Sequence, residues 1–304
     1  MSDLDLRRAR ISVGEIAYAD EGEGPPILLL HGFATSSHLW RDLLPMLSIR
    51  SRVVAPDMIG FGASDKPAEA PLGIPDQGRY VSELIDLLGL ETFAVVGHDI
   101  GGGLGQILAL ERDVRTLVIL DGVTPWTVAS EPLRGLQRAD PDRADASFAE
   151  GVVRATFDLG MRRRDRLSDR DLEAYLSAWR DEPAAIVRAA RAITSNGLEG
   201  REEDLAKLDI PALLLWGEED PFVPRDNGER LWEALPDAAF ATLPGCGHFI
   251  TEDAADSVLP LVAQFLRRRY LGEEGHDHAA GPVTVDLGIS FERPPPPVDE
   301  LVDE

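Results

Sequence analysis

The chain has 304 residues, 54 acidic and 30 basic, for a formal charge of −24. That excess of carboxylates repels phosphates and argues against nucleic acid or an anionic membrane as a partner. Cys246 is the one cysteine, so no intrachain disulfide can form, no apolar run reaches the ~18 residues of a membrane span, and the first residues hold no signal-like apolar stretch; a reducing, cytoplasmic setting is expected.

Residues 9–13 and 15–19 read as a short antiparallel pair turned at Gly14. Continuous apolar runs follow at 27–30, 53–55, 93–96, 117–120 and 213–216. Short runs apolar on both faces suit central strands of a parallel sheet covered by helices. Helical stretches lie between them, at 80–88, 104–110 and 228–235. The alternation predicts an α/β fold with a mostly parallel central sheet and helices on both faces. Residues 123–208 break the alternation with helical spacing and no strand-like run. We therefore divide the chain into a core domain in two parts, 1–122 and 209–271, with a helical insert at 123–208 that forms a cap. Residues 272–304 hold nine acids and one arginine, a composition that predicts a disordered tail. The pair His276 and His278 in that tail is read as incidental, and no metal is expected.

The chemistry-bearing motifs each follow a predicted strand, where open α/β sheets place their sites. Gly97-His98-Asp99-Ile100-Gly101 has the spacing of a nucleophile elbow with Asp in place of Ser. The central residue of such a turn is pushed above the sheet, and glycines on either side make room for it. The plain alternative is that Asp99 only caps the following helix. Gly245-Cys246-Gly247-His248 follows the run at 240–243 and offers His248 as general base, since imidazole titrates near neutrality. Asp220, after the run at 213–216, is expected to orient His248, with Asp121, after 117–120, as its rival. The backbone N–H groups of Phe33 and Ile100 are expected to form an oxyanion hole. His31 braces its loop, and the turn from Asp57 to Ser64 shapes the floor.

The order Asp99, Asp220, His248, with His31-Gly32-Phe33 and the Asp57 to Ser64 turn, resembles the α/β-hydrolase superfamily over about residues 10–270. Gly-His-Asp-x-Gly-Gly at the elbow resembles its epoxide hydrolase and haloalkane dehalogenase branch, and the insert matches that branch's helical cap in position. The resemblance implies that Asp99 attacks a saturated carbon and forms an ester, which water activated by His248 then hydrolyses. A carboxylate needs no base to attack at neutral pH.

The resemblance also frames the leaving group. Epoxide hydrolases of this kind commonly use cap tyrosines as acid, and Tyr175 is the one tyrosine in the insert. Haloalkane dehalogenases usually carry Trp where this chain has Ile100, and many carry Asn at Phe33. Fluoroacetate dehalogenases carry Arg where Ile100 and Gly103 stand. These departures put epoxide hydrolysis first, with Tyr175 as acid. A haloalkane dehalogenase using Trp126 or Trp179 comes second, and a ligand-binding or non-hydrolytic protein on the same scaffold third. Tyr175, Trp126, Trp179 and His98 are the expected substrate contacts. The expected partners are a small apolar substrate and water, with no cofactor, in a monomer or homodimer.

Overall fold

A computed structural model describes residues 4–195 and 197–272. The acidic tail from residue 273 on, with His276 and His278, lies outside the described residues.

Eight strands form one sheet: β1 (Leu6–Ile11), β2 (Gly14–Glu21), β3 (Pro26–Leu30), β4 (Arg52–Pro56), β5 (Phe93–His98), β6 (Val114–Leu120), β7 (Ala212–Gly217) and β8 (Ala238–Leu243). Their order is β1-β2-β4-β3-β5-β6-β7-β8. The β1–β2 and β2–β4 pairs are antiparallel, and every pair from β4 to β8 is parallel. The expected turn at Gly14 is corrected: the chain turns at Ser12 and Val13, and Gly14 opens β2 opposite Ile11. Gly14 serves close approach instead, because a Cβ there would stand 2.9 Å from the Asp65 carboxylate.

The strand side chains alternate between two cores, as period-two geometry requires. Leu28, Leu30, Val95, Ile119 and Leu214 enter one core, and Ile27, Leu29, Val96, Val118 and Leu215 enter the other. Strands buried on both faces lose the polar alternation of an edge strand, which is why these runs read as continuous apolar sequence.

The helices are α1 (Leu43–Leu47), α2 (Ile74–Leu87), α3 (Ile100–Glu111), α4 (Glu131–Gln137), α5 (Ala146–Gly160), α6 (Asp169–Ser177), α7 (Ala184–Ala192), α8 (Glu202–Leu205), α9 (Arg225–Ala234), α10 (Ile250–Asp253) and α11 (Ala255–Arg269). Side chains of α2, α3 and α9 join the first core, while those of α1 and α11 join the second. Helices α4 to α8 all fall between β6 and β7. Three of them start at oxygen-bearing caps, Ser130, Asp145 and Ser168, each accepting the N–H three residues on. Helix α5 buries Ala149, Val153, Phe157 and Gly160, a stripe at helical spacing. Phe157 stacks on Tyr175 of α6 at 4.9 Å and on Phe249 at 4.5 Å, which seats the insert against the chain just after His248.

Candidate active site

Strand β5 runs straight into α3 through Asp99, whose φ of 53° and ψ of −120° are strained for a residue with a side chain. Such a conformation costs of order 1–3 kcal/mol and persists only where the surroundings impose it. The surroundings do so through glycines. A Cβ on Gly97 would sit 2.2 Å from the Gly101 carbonyl, and one on Gly101 would sit 2.1 Å from the Leu30 carbonyl. The Asp99 side chain makes no cap bond to α3, so the plain capping alternative fails. Its Oδ2 instead accepts the Phe33 N–H at 2.8 Å. Ile100 is buried in the first turn of α3, and among the described residues its N–H donates no bond to that carboxylate. Burial pushes the Asp99 carboxyl pKa up, but His248, His98 and the Phe33 N–H together outweigh it and hold it below the usual range.

His248 stands in the loop after β8. Its Nδ1 lies 2.8 Å from Asp220 Oδ2, and its Nε2 lies 3.9 Å from Asp99 Oδ1. The second distance is that of an ion pair, longer than a hydrogen bond. The other Asp220 oxygen accepts the N–H groups of Phe222 and Val223 at 2.7 and 3.0 Å. Burial works against a charged imidazole here, yet Asp220 and then Asp99 raise the His248 pKa well above its ordinary value. Asp121, the rival acid, turns its Oδ1 to the Gly217 N–H at 2.7 Å. Among the described residues its Oδ2 is buried without a hydrogen-bond partner. Burial, and then the Asp220 charge beside it, push the Asp121 carboxyl pKa well up.

A cavity of about 190 Å³ opens above Asp99 and His248, walled by Phe33, Val123, Leu136 and Phe222. Insert residues and core residues line it together. Among the described residues no lysine, arginine, tyrosine or tryptophan lines it.

Four expected substrate contacts do not line this cavity. Tyr175 is buried away from the cavity and donates its phenol proton to Glu252 at 2.7 Å. Glu252 is also gripped by Arg41 through two bonds of 2.7 Å, so the phenol ties the insert to an ion pair within the core. Trp179 is wholly buried and packs edge-on against Phe61 at 5.7 Å. Trp126 lies under the Arg230 guanidinium at 4.2 Å. His98 is fully buried, and burial first, then the nearby His248, lowers its pKa to about 3. Neutral His98 therefore donates from Nε2 to the His248 carbonyl at 2.9 Å.

Other residues of the site went unnoticed in the sequence. Asp253 is fully buried, and its carboxylate accepts the Gly247 N–H at 2.8 Å and the Arg163 N–H at 2.8 Å. Its sequence context, Thr251-Glu252-Asp253, looks like a solvated acidic turn. The apolar residues on both sides were the only signal against that.

Residues 25–255 match the family described as alpha/beta hydrolase fold. Haloalkane dehalogenase 2 of Mycobacterium tuberculosis (strain ATCC 25618 / H37Rv) is 32% identical over 265 residues, covering 83% of this chain and 92% of that protein. Fluoroacetate dehalogenase of a Burkholderia species is 31% identical over 298 residues, covering 86% and 94%. Among solved structures, an alpha/beta hydrolase fold protein from Burkholderia ambifaria superposes with a TM-score of 0.79 at 27% identity, covering 86% and 98%.

Proposed function

The chain belongs to the alpha/beta hydrolase fold family, and on that premise we propose that it hydrolyses a small, neutral, apolar substrate at a saturated carbon through an ester on Asp99. The observation that carries this reading is a buried carboxylate at the elbow, 3.9 Å from a histidine whose other nitrogen is held by Asp220. A carboxylate attacking an ester or amide would give an anhydride, whereas attack at an alkyl carbon gives a stable ester.

In this reading an Asp99 oxygen attacks the carbon, and the leaving group departs with the bonding electron pair. His248 Nε2 then takes a proton from water, whose oxygen adds to the Asp99 carboxyl carbon. The negative charge that develops falls on the oxygen facing the Phe33 N–H. Collapse expels the alcohol, which recovers the proton from His248. The alcohol carries away the oxygen that Asp99 brought, water's oxygen takes its place in the carboxyl, and the second water proton dissociates to solvent as the Asp99 carboxylate is restored.

Carbon–halogen cleavage is the leading reaction. Epoxide opening needs an acid for the departing oxygen, and the expected donor, Tyr175, is bonded to Glu252 outside the cavity. A halide leaves as a stable anion without a proton. Two relatives above 30% identity are named as dehalogenases, which supports this order. The cavity wall offers no cation besides His248 among the described residues, so a substrate carrying a carboxylate is disfavoured. We also propose that the insert acts as the cap of the site. The test is a panel of primary haloalkanes and epoxides with halide and diol detection. Halide release that disappears in Asp99→Ala is expected, and diol formation without halide release would return epoxide hydrolysis to first place.

A further inference from the structure

We infer that residues 160–163 of the insert, clamped by the buried carboxylate of Asp253, form the seat that positions the His248–Asp220 pair, which makes Asp253 a positioning residue for hydrolysis of the Asp99 ester. The inference rests on the proposed covalent reading for the step it names, and on geometry for the seat itself.

The Asp253 carboxylate does not serve its own helix. Oδ1 accepts the N–H groups of Arg162 and Arg163 at 3.0 and 2.8 Å, and Oδ2 accepts those of Arg162 and Gly247 at 3.0 and 2.8 Å. It therefore ties the residue before His248 to the segment that leaves α5. Buried carboxylates accepting several backbone N–H groups are strong and rigid acceptors.

The same segment reaches His248 directly. The His248 N–H donates to the Gly160 carbonyl at 2.7 Å, while His98 Nε2 donates to the His248 carbonyl at 2.9 Å. Both main-chain polar groups of the histidine are thus fixed, one by the insert and one by the core. Two glycines make the approach possible. A Cβ on Gly247 would meet the Gly160 carbonyl at 2.0 Å, and one on Gly160 would meet the Phe249 ring at 2.6 Å.

The segment also holds the loop that bears the acid. Arg162 Nη2 donates to the Glu219 carbonyl at 2.9 Å, and its Nε to the Glu219 carboxylate at 3.1 Å. Glu219 directly precedes Asp220. One short stretch of the insert therefore anchors both loops whose side chains must meet at 2.8 Å. Small errors in such a placement cost about 10²-fold in rate.

Two variants test this, Asp253→Asn and Arg162→Ala, with His248→Gln as control. The first readout is the low-field proton resonance of His248 Nδ1–H, identified by its loss in His248→Gln. The second is the ester on Asp99 during turnover of 1-bromobutane, followed by intact mass. In Asp253→Asn the resonance moves upfield or vanishes, ester hydrolysis slows ~10²-fold, and ester formation stays within about twofold, so the ester accumulates. Arg162→Ala shows the same pattern at roughly three- to tenfold. Arg162 is partly exposed, so its truncation leaves the fold in place and decides the matter if Asp253→Asn does not fold. An unmoved resonance with unchanged ester hydrolysis in Arg162→Ala, or equal slowing of both steps, overturns the inference. If His248→Gln traps no ester at all, the covalent reading falls instead, and the resonance alone still decides whether the seat exists.

Discussion

The imidazole of His248 is bonded to Asp220 at 2.8 Å, while Asp121, at the end of the neighbouring strand, spends its one paired oxygen on the Gly217 N–H. Both carboxyls are buried, and their charges act on each other. Burial and the Asp220 charge raise the Asp121 carboxyl pKa well above its usual range, and it is Asp220 whose carboxylate meets the His248 Nδ1. Asp220→Asn should therefore lower kcat by about 10³–10⁴, the scale of a triad acid lost. Asp121→Asn changes a side chain that faces the Gly217 N–H rather than His248 and should stay within roughly tenfold, since it touches no reacting atom. Steady-state kcat for both variants checks this, and the reverse ranking would assign the acid to Asp121.

The pH profile follows from two shifts. Ester hydrolysis needs neutral His248, and Asp220 raises its pKa well above the ordinary 6.5 against the pull of burial. Asp99 contributes to that rise in the free protein, and esterification removes its charge. The kcat limit set by hydrolysis should rise with pH through the folded-state pKa of His248, with its midpoint above 6.5. Ester formation needs ionised Asp99, whose pKa lies below the usual range, so that step should stay flat down to pH values below 3.8 while the protein remains folded. Stopped-flow measurement of both steps across pH checks the signs.

Tyr175→Phe separates chemistry from structure. The phenol donates to Glu252 and does not line the cavity, so halide release should stay within about twofold. Glu252 keeps its two bonds from Arg41, so the lost hydrogen bond should cost ~1 kcal/mol in urea denaturation. A loss of turnover by orders of magnitude would restore the phenol to the reaction.

Gly32→Ala tests the packing under the nucleophile. A Cβ there would stand 2.5 Å from the Asp99 Cβ and 2.8 Å from its Oδ2. The side chain of Asp99 must move, so turnover should fall by at least ~10²-fold. Activity near the starting level would show that Asp99 tolerates displacement and is not fixed by this wall.

The parts of the site legible in sequence were those fixed by local geometry. Asp99, Asp220 and His248 each follow a strand within a few residues, and the glycines around them mark turns that other residues cannot make. Strands β3 to β7 were legible because burial on both faces leaves nearly unbroken apolar runs. The insert was legible as helix but not as surface. Which face of α6 carries Tyr175 toward Glu252 depends on Arg41, far away in sequence, and no local period encodes that. Trp126 beside Arg230 and Trp179 against Phe61 likewise take their places from partners distant in sequence. Asp253 was missed because a buried carboxylate satisfied by N–H groups of a distant segment has the local sequence of an exposed acidic turn.

The central claim is that Asp99 carries the substrate as an ester. The most direct measurement is mass spectrometry of the Asp99 peptide from His248→Gln protein exposed to primary bromoalkanes and to terminal epoxides. The account predicts an adduct of the alkyl mass on Asp99 with the bromoalkanes, absent in Asp99→Ala. An unmodified Asp99 peptide across both substrate classes, in a protein that still turns over substrate without His248→Gln, would contradict it.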